Sequence, residues 1–209
     1  MIEKEKINFS LVKGDLKELN KKKILELLRR ENNQSILAKL SDKIVFDYLD
    51  IVQNSNFLKL FCLEYNNEVI AYAITSAKPE YLISEFKNLK AKIFLSLVLN
   101  LKIITLLNIL ISILNLDLIF FKKENLNKIK ESPNLNLIAV ENKYQSKGIG
   151  SLFLQKIISH YKEIEKSEYM TCETYSQRAI KFYLDKCGFR IIGKKIRVPK
   201  NLYVLEHKF

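Results

Sequence analysis

Ile7–Val12 alternates apolar and polar positions as a strand does. The chain then turns through Gly14 into a helix that Asp15 can cap, with Leu16, Leu19, Ile24, Leu27 and Leu28 on one face. Residues 41–52 repeat the helical spacing, with Ser41 as cap and Ile44, Val45, Tyr48, Leu49 and Val52 on one side. Residues 57–65 and 68–77 read as two strands joined by Asn66 and Asn67, which tolerate the positive φ of a tight hairpin. The pattern changes at residue 79 and resumes after residue 133. Residues 135–140 form a short apolar strand, and 150–161 an amphipathic helix with Leu152, Phe153, Ile157, Ile158 and Tyr161 inward. A buried strand at 169–173 and a helix at 176–186 follow. Strands at 189–198 and 202–208 are then turned by Pro199, Lys200 and Asn201. The order predicts a mixed α+β domain, and 209 residues fit a single one.

Between Pro79 and Pro133 the chain is unusually apolar: over residues 93–121 the only charges are Lys102 and Asp117. A membrane-spanning helix needs roughly 20 uninterrupted apolar residues, and the longest uncharged run here, 103–116, is too short and too polar. Its polar members Lys102, Thr105, Asn108, Ser112 and Asn115 fall on one narrow helical stripe, and Lys92, Ser96 and Asn100 form another upstream. Two helices with wide apolar faces therefore read as an insertion over about residues 79–133, bracketed by prolines.

Composition adds limits. Hydrophobic residues at 48% and charged residues at 28% belong to a chain that folds, and the net charge of +12 favours anionic partners. Lysine enrichment that reflects coding bias weakens that inference, and nucleic-acid binding rests on charge alone, so it ranks last. Cys62, Cys172 and Cys187 are odd in number and lack CxxC spacing, which supports neither a disulfide framework nor a metal site. Residues 1–12 carry no apolar export signal, and the expected compartment is cytoplasmic.

The chain holds only five glycines, and two of them, Gly148 and Gly150, stand where the 135–140 strand gives way to a helix. A glycine-bearing turn that opens a helix exposes unpaired N–H groups at the positive end of the dipole, a seat for a diphosphate. The spacing is neither that of a P-loop nor that of a dinucleotide fold. Leu137, Ile138, Ala139 and Val140, followed by Tyr144, Gln145, Ser146, Lys147, Gly148, Ile149 and Gly150, resemble the acetyl-CoA motif of the GNAT N-acetyltransferases. Ala179 to Tyr183 and then Gly188 and Phe189 are similar to that family's downstream signature.

The resemblance implies a GNAT fold: a central, mostly antiparallel sheet splayed at the cofactor strand and flanked by helices. It implies acetyl-CoA as co-substrate and no metal. Ile138, Ala139 and Val140 would meet the pantetheine arm, and the amides of Gln145, Ser146, Lys147, Gly148, Ile149, Gly150 and Ser151 the diphosphate. Ser176, Phe182 and Tyr183 would complete the cofactor site, Ser176 standing where the family commonly has asparagine. Tyr183 would protonate the departing thiolate, although four residues separate it from Gly188 where the family usually has three. The glutamate many relatives carry before the cofactor strand's Ala-Val is absent, since Asn134, Leu135 and Asn136 fill that region. The base is therefore open between Glu173 and a water reached through polar groups.

The implied activity is acetylation of a primary amine of a small molecule, with an amino sugar of bacterial surface-glycan synthesis as one acceptor. Protein-amine acetylation and an inactive coenzyme A-binding module are the alternatives. Residues 93–121 would be a lid, a homodimer interface or a peripheral membrane surface, with burial against the core or a second subunit preferred. His160, near the end of its helix, reads as a capping cation, and His207 lies near the terminus. The run Arg190, Lys194, Lys195, Arg197 and Lys200 reads as the solvated side of a strand, or as a receiver of acidic substrate or adenosine phosphate.

Overall fold

The computed structural model describes residues 6–12, 14, 16–79, 85, 86, 89, 91–93, 95, 96, 103–113, 118, 121 and 123–209. The apolar segments form strands β1 (Ile7–Val12), β2 (Leu58–Tyr65), β3 (Glu68–Ser76), β4 (Asn134–Val140), β5 (Tyr169–Thr174), β6 (Arg190–Lys195) and β7 (Leu202–Lys208). They pair as one sheet in the order β1-β2-β3-β4-β5-β7-β6. The β2–β3 turn has Asn66 and Asn67 at φ 52° and 63°, the left-handed values that a two-residue hairpin requires.

Two helical layers cover the sheet. Helices α1 (Glu18–Glu31) and α2 (Asp42–Asn54) bury Ile24, Leu27, Leu28, Val45, Leu49 and Val52 against one face, with Leu60, Tyr72 and Ala139 beneath them. Helix α3 is Ile103–Ile113 and α4 is Lys123–Glu131. On the other face α5 (Ile149–Glu163) and α6 (Gln177–Cys187) bury Phe153, Ile157, Tyr161 and Tyr183 against Phe61, Ala73, Leu135 and Cys172.

Every strand pair is antiparallel except β4–β5, which is parallel and joins only Asn134 to Thr171 and Leu135 to Cys172. Immediately beyond, β4 carries a bulge. Thr75 pairs with Leu135 and Ile74 with Leu137, leaving Asn136 with no residue opposite it in the β3 ladder. The extra residue reverses the side-chain phase, so Leu135 packs with α5 and α6 while Leu137 packs with α1 and α2. A strand bent at this point leaves its parallel neighbour, and β4 and β5 open into a fork.

Several expectations change. Helix α1 begins at Glu18 behind Lys17, which makes no side-chain cap, and Asp15 lies outside the described residues. Leu19 is 77% exposed, because the buried face runs through Leu16, Ile24, Leu25, Leu27 and Leu28. Ser41 stands at the α2 cap position without a side-chain cap bond. The charged sequence of α4 shows no wide apolar stripe, and the helix was not anticipated. Lys128 on α4 lies 3.4 Å from the fully buried Glu206, whose carboxylate also accepts from Arg190 Nε at 2.7 Å. Strand β6 ends at Lys195, short of residue 198, because Asn108 of α3 takes both backbone groups of Val198, at 2.7 and 2.9 Å. That interaction accounts for one member of the polar stripe. Asn100, Lys102 and Asn115 lie outside the described residues, as does much of the 79–133 segment read as an insertion. Among the described residues no helix is long and apolar enough to cross a membrane.

Phe153, fully buried between Phe9 and the α5 core, anchors the second layer. Phe153→Ala is expected to cost about 3–5 kcal/mol, read as a lowered urea midpoint with an unchanged slope.

Candidate active site

The mouth of the fork is built by the segment between β4 and α5. Glu141 closes the β3 pairing by donating to Ile70 O at 2.8 Å, a single tight turn spans Asn142–Tyr144, and Ser146 and Gly148 adopt φ of 59° and 79°. Two left-handed residues so close together turn the chain sharply, and at Gly148 the absence of a Cβ makes the conformation inexpensive. The first intrahelical bond of α5 is Leu152 N–H to Gly148 O at 3.0 Å, so the amides of Ile149, Gly150 and Ser151 precede it, and among the described residues no side chain caps them. The Ile149 side chain is buried, which leaves its backbone as its only route to a ligand. Ser146 and Lys147 are exposed at the rim.

Gly150 matters through closeness. A Cβ there would meet the Phe182 ring at 3.4 Å and Val140 Cγ2 at 3.8 Å, so the strand end, the helix start and α6 converge on this residue. Gln145 ties the same loop to its surroundings. Its Nε2 donates to Val140 O and to Glu31 Oε2, each at 2.7 Å, and its Oε1 accepts from Arg178 at 2.7 Å. Arg178, two residues past the Ser176 cap of α6, thereby holds a guanidinium on Gln145, the residue that opens this loop. Sequence reading passed over it because the motif does not include it. Ser176 caps α6 through a 3.4 Å bond from Ala179 N–H.

Inside the fork the two sheet faces differ. Ile138 and Val140 pack toward α5 and α6, Ala139 toward α1 and α2. Tyr183 is 6% exposed, its ring 5.2 Å from Phe189 and 5.4 Å from Phe182. Burial first, then the neighbouring Cys172 and Cys187 thiols, push its phenol well above the usual tyrosine value. Cys172 is the residue paired with Leu135 at the last rung before the strands part, which puts Tyr183 beside the closed end of the fork. Phe182, not Tyr183, faces Gly150 and the phosphate-loop side.

Glu173, the next residue along β5, projects to the opposite face, where its Oε1 is held by Lys195 Nζ at 2.6 Å. Arg190 pairs with Glu206, and Lys194 lies 5.8 Å from the Tyr203 ring centre. Three of the basic side chains read as a solvated strand face are thus engaged by the fold. His160 packs edge-on against Phe61 at 5.2 Å and lies 3.7 Å from Glu165, consistent with a structural place near the end of α5. A depression of about 380 Å³ bordered by Lys128, Glu131, Ser132, Ser167 and Tyr169 lies before the starts of β4 and β5, away from the fork.

The comparisons with known proteins agree with this architecture. Residues 126–189, from within α4 through Phe189, match the model of the Acetyltransferase (GNAT) family. The fold is similar to that of ribosomal-protein-S18-alanine N-acetyltransferase from Escherichia coli (14% identity, 97% of this chain and 93% of that chain covered, TM-score 0.57). It is also similar to Drosophila melanogaster polyamine N-acetyltransferase (7%, 97% and 100%, 0.60) and to a GNAT family acetyltransferase from Elizabethkingia anophelis with acetyl-CoA bound (15%, 98% and 99%, 0.51). At such identities the likeness is one of fold. No curated protein sequence matches the chain significantly. The match over residues 126–189 and the shared architecture give this chain the fold of the GNAT acetyltransferases.

The cysteines provide a test of the packing around the fork. Burial raises the Cys62 thiol to about 12 and Cys187 to about 11, the latter against a lowering hydrogen bond from Ser151, and it also raises Cys172. At about pH 7 and below the thiols are protonated in folded and unfolded chains alike and contribute no pH dependence. Above it the unfolded chain releases protons that the folded chain retains, so stability should fall as pH rises toward 11. The urea midpoint is expected to be lower at pH 10 than at pH 8. A thiol reagent at pH 8 should label the three cysteines in urea and react only slowly with the folded protein.

Proposed function

We propose that this chain transfers an acetyl group from acetyl-CoA to a primary amine of a small molecule. One observation carries the reading: the uncapped first turn of α5 stands at the mouth of a fork whose inner strand has an open backbone edge. Such a site suits a diphosphate continued by an extended, amide-bearing arm. The amides from Gln145 to Ser151 would hold the diphosphate, with Arg178 and Lys147 adding positive charge. Ile138, Ala139 and Val140 would line the arm, and Phe182 would close the side toward α6. Ser176 would serve by capping α6 beside this loop. The net charge of +12 favours an anionic ligand of this kind.

When bound, acetyl-CoA supplies a thioester carbonyl open to attack. The chain must then remove a proton from the acceptor ammonium and provide one to the departing sulfur as the C–N bond forms and the C–S bond breaks. Tyr183 approaches from the α5–α6 face, at the closed end of the fork, and its raised pKa keeps it a donor at neutral pH. Glu173 lies on the opposite face and is our base. The Lys195 ammonium at 2.6 Å occupies the place an acceptor cation would take on its carboxylate. Acid and base thus approach the thioester from opposite sides of the sheet. Retained in the proposal are an amino sugar as acceptor and a cytoplasmic location.

Coenzyme A at a hundred times its Kd should stabilise the fold by about 2.7 kcal/mol, seen as a raised melting temperature. Absence of any shift would remove the cofactor assignment. With acetyl-CoA, thiol release should be stimulated by amino sugars or small amines; stimulation by a peptide N-terminus or lysine alone would redirect the reading to proteins.

Tyr183→Phe is expected to lower kcat by about 10²–10⁴-fold while KM for acetyl-CoA stays near the wild-type value. Turnover equal to wild type across the pH range would exclude this tyrosine as the acid.

A further inference from the structure

The edge of β4 that lines the fork has a hydrogen-bonding pattern of its own. Glu141 N–H donates to Ile70 O, which identifies Glu141, Ala139 and Leu137 as the residues whose backbone groups face β3. The N–H and C=O groups of Ile138 and Val140 therefore point into the fork, where β5 pairs only with Asn134 and Leu135. Both outward carbonyls are engaged by side-chain amides: Asn32 Nδ2 donates to Ile138 O at 3.2 Å, and Gln145 Nε2 to Val140 O at 2.7 Å. Each carbonyl keeps a second lone pair, but the groups of this edge with no bond among the described residues are its two N–H donors.

Asn32 is oriented from behind. The Tyr72 hydroxyl donates to Asn32 Oδ1 at 3.0 Å from a fully buried ring, and burial raises that phenol well above its ordinary value, so it remains protonated. A fixed donor requires the amide oxygen on its side and turns the NH₂ group toward the strand. Asn32 is the C-terminal cap of α1, and its neighbour Glu31 holds Gln145. One helix end therefore secures both carbonyls, directly at Ile138 and through Gln145 at Val140.

We propose that Asn32 is a positioning residue for the pantetheine arm. By engaging the Ile138 carbonyl it biases the edge toward donation, so the arm docks chiefly through its amide carbonyls, which sets how far the thioester advances into the fork. The inference rests on the acyl-CoA reading above and deepens it. The spacing of the sequence motif does not contain it, since Asn32 and Tyr72 lie far upstream of residues 137–150.

The test compares coenzyme A with its nucleotide half, which keeps the diphosphate and lacks the arm, by calorimetry on the full chain. Asn32→Asp exchanges the NH₂ donor for a charged acceptor facing Ile138 O. It is expected to weaken coenzyme A about tenfold while the nucleotide half stays within about twofold. Asn32→Ala should weaken coenzyme A by a smaller factor, and Tyr72→Phe should act in the same direction and be non-additive with it. Parallel weakening of both ligands would reduce Asn32 to a part of the fold, and unchanged coenzyme A affinity would overturn the proposal outright. A wild-type chain that binds neither ligand would overturn the coenzyme reading and this inference with it. Wild type binding both, with unchanged ligand ratios in the variants, would overturn this inference alone.

Discussion

The parting of β4 from β5 after two paired residues is the constraint on which the rest depends. A parallel pair closed along its whole length would bury the backbone of residues 136–140 in a ladder and leave no cleft. The bulge at Asn136 prevents that by inserting a residue that β3 cannot match, which bends β4 and exchanges the faces of its side chains. The same event leaves an open edge, and that edge runs directly into the turn that starts α5. Strand edge and helix dipole are thus aligned by one local irregularity.

Holding a fork open requires support on both sides, and the two helical layers supply it differently. On the α5–α6 side the support is apolar: Phe182 lies against Gly150 and Val140, and Tyr183 packs between aromatic rings and thiols. On the α1–α2 side it is polar, with Tyr72, Asn32, Glu31 and Gln145 joined by hydrogen bonds that end on β4 carbonyls. Glu141, nearly buried at the strand end, adds a concentration of charge with Lys23, Arg30 and Lys143 at 3.5–3.6 Å. The apolar side sets the width of the cleft, whereas the polar side determines which backbone groups remain available inside it. This division matches the chemistry proposed, in which a proton donor works from a dry face and a carboxylate from the opposite one.

Much of this was legible in the chain, for identifiable reasons. The Asn66–Asn67 hairpin was readable because few residues tolerate left-handed backbone, and the Gly148–Gly150 turn because glycine was scarce elsewhere. Helices α2, α5 and α6 were readable because their apolar faces recur at helical spacing over three turns. Helix α4 was not, because charged residues dominate it and what holds it includes a buried carboxylate on a distant strand. Leu19 was misjudged because it stands five residues before Ile24 and nine before Leu28, spacings that fall off the face those residues bury. The end of β6 depended on Asn108 of α3, 90 residues away in sequence.

The sequence by itself determined the element order outside residues 79–133, the glycine-bearing strand-to-helix turn, and the residue types near the proposed chemistry, because each follows from backbone preference or short-range spacing. Only the tertiary structure decided where β4 leaves β5, that Phe182 faces Gly150 while Tyr183 turns into the core, that Lys195 holds Glu173, and that Asn32 reaches Ile138. These depend on register and on side-chain direction after packing. A bulge of one residue reverses which face every later side chain occupies, and no local pattern in the chain records that reversal.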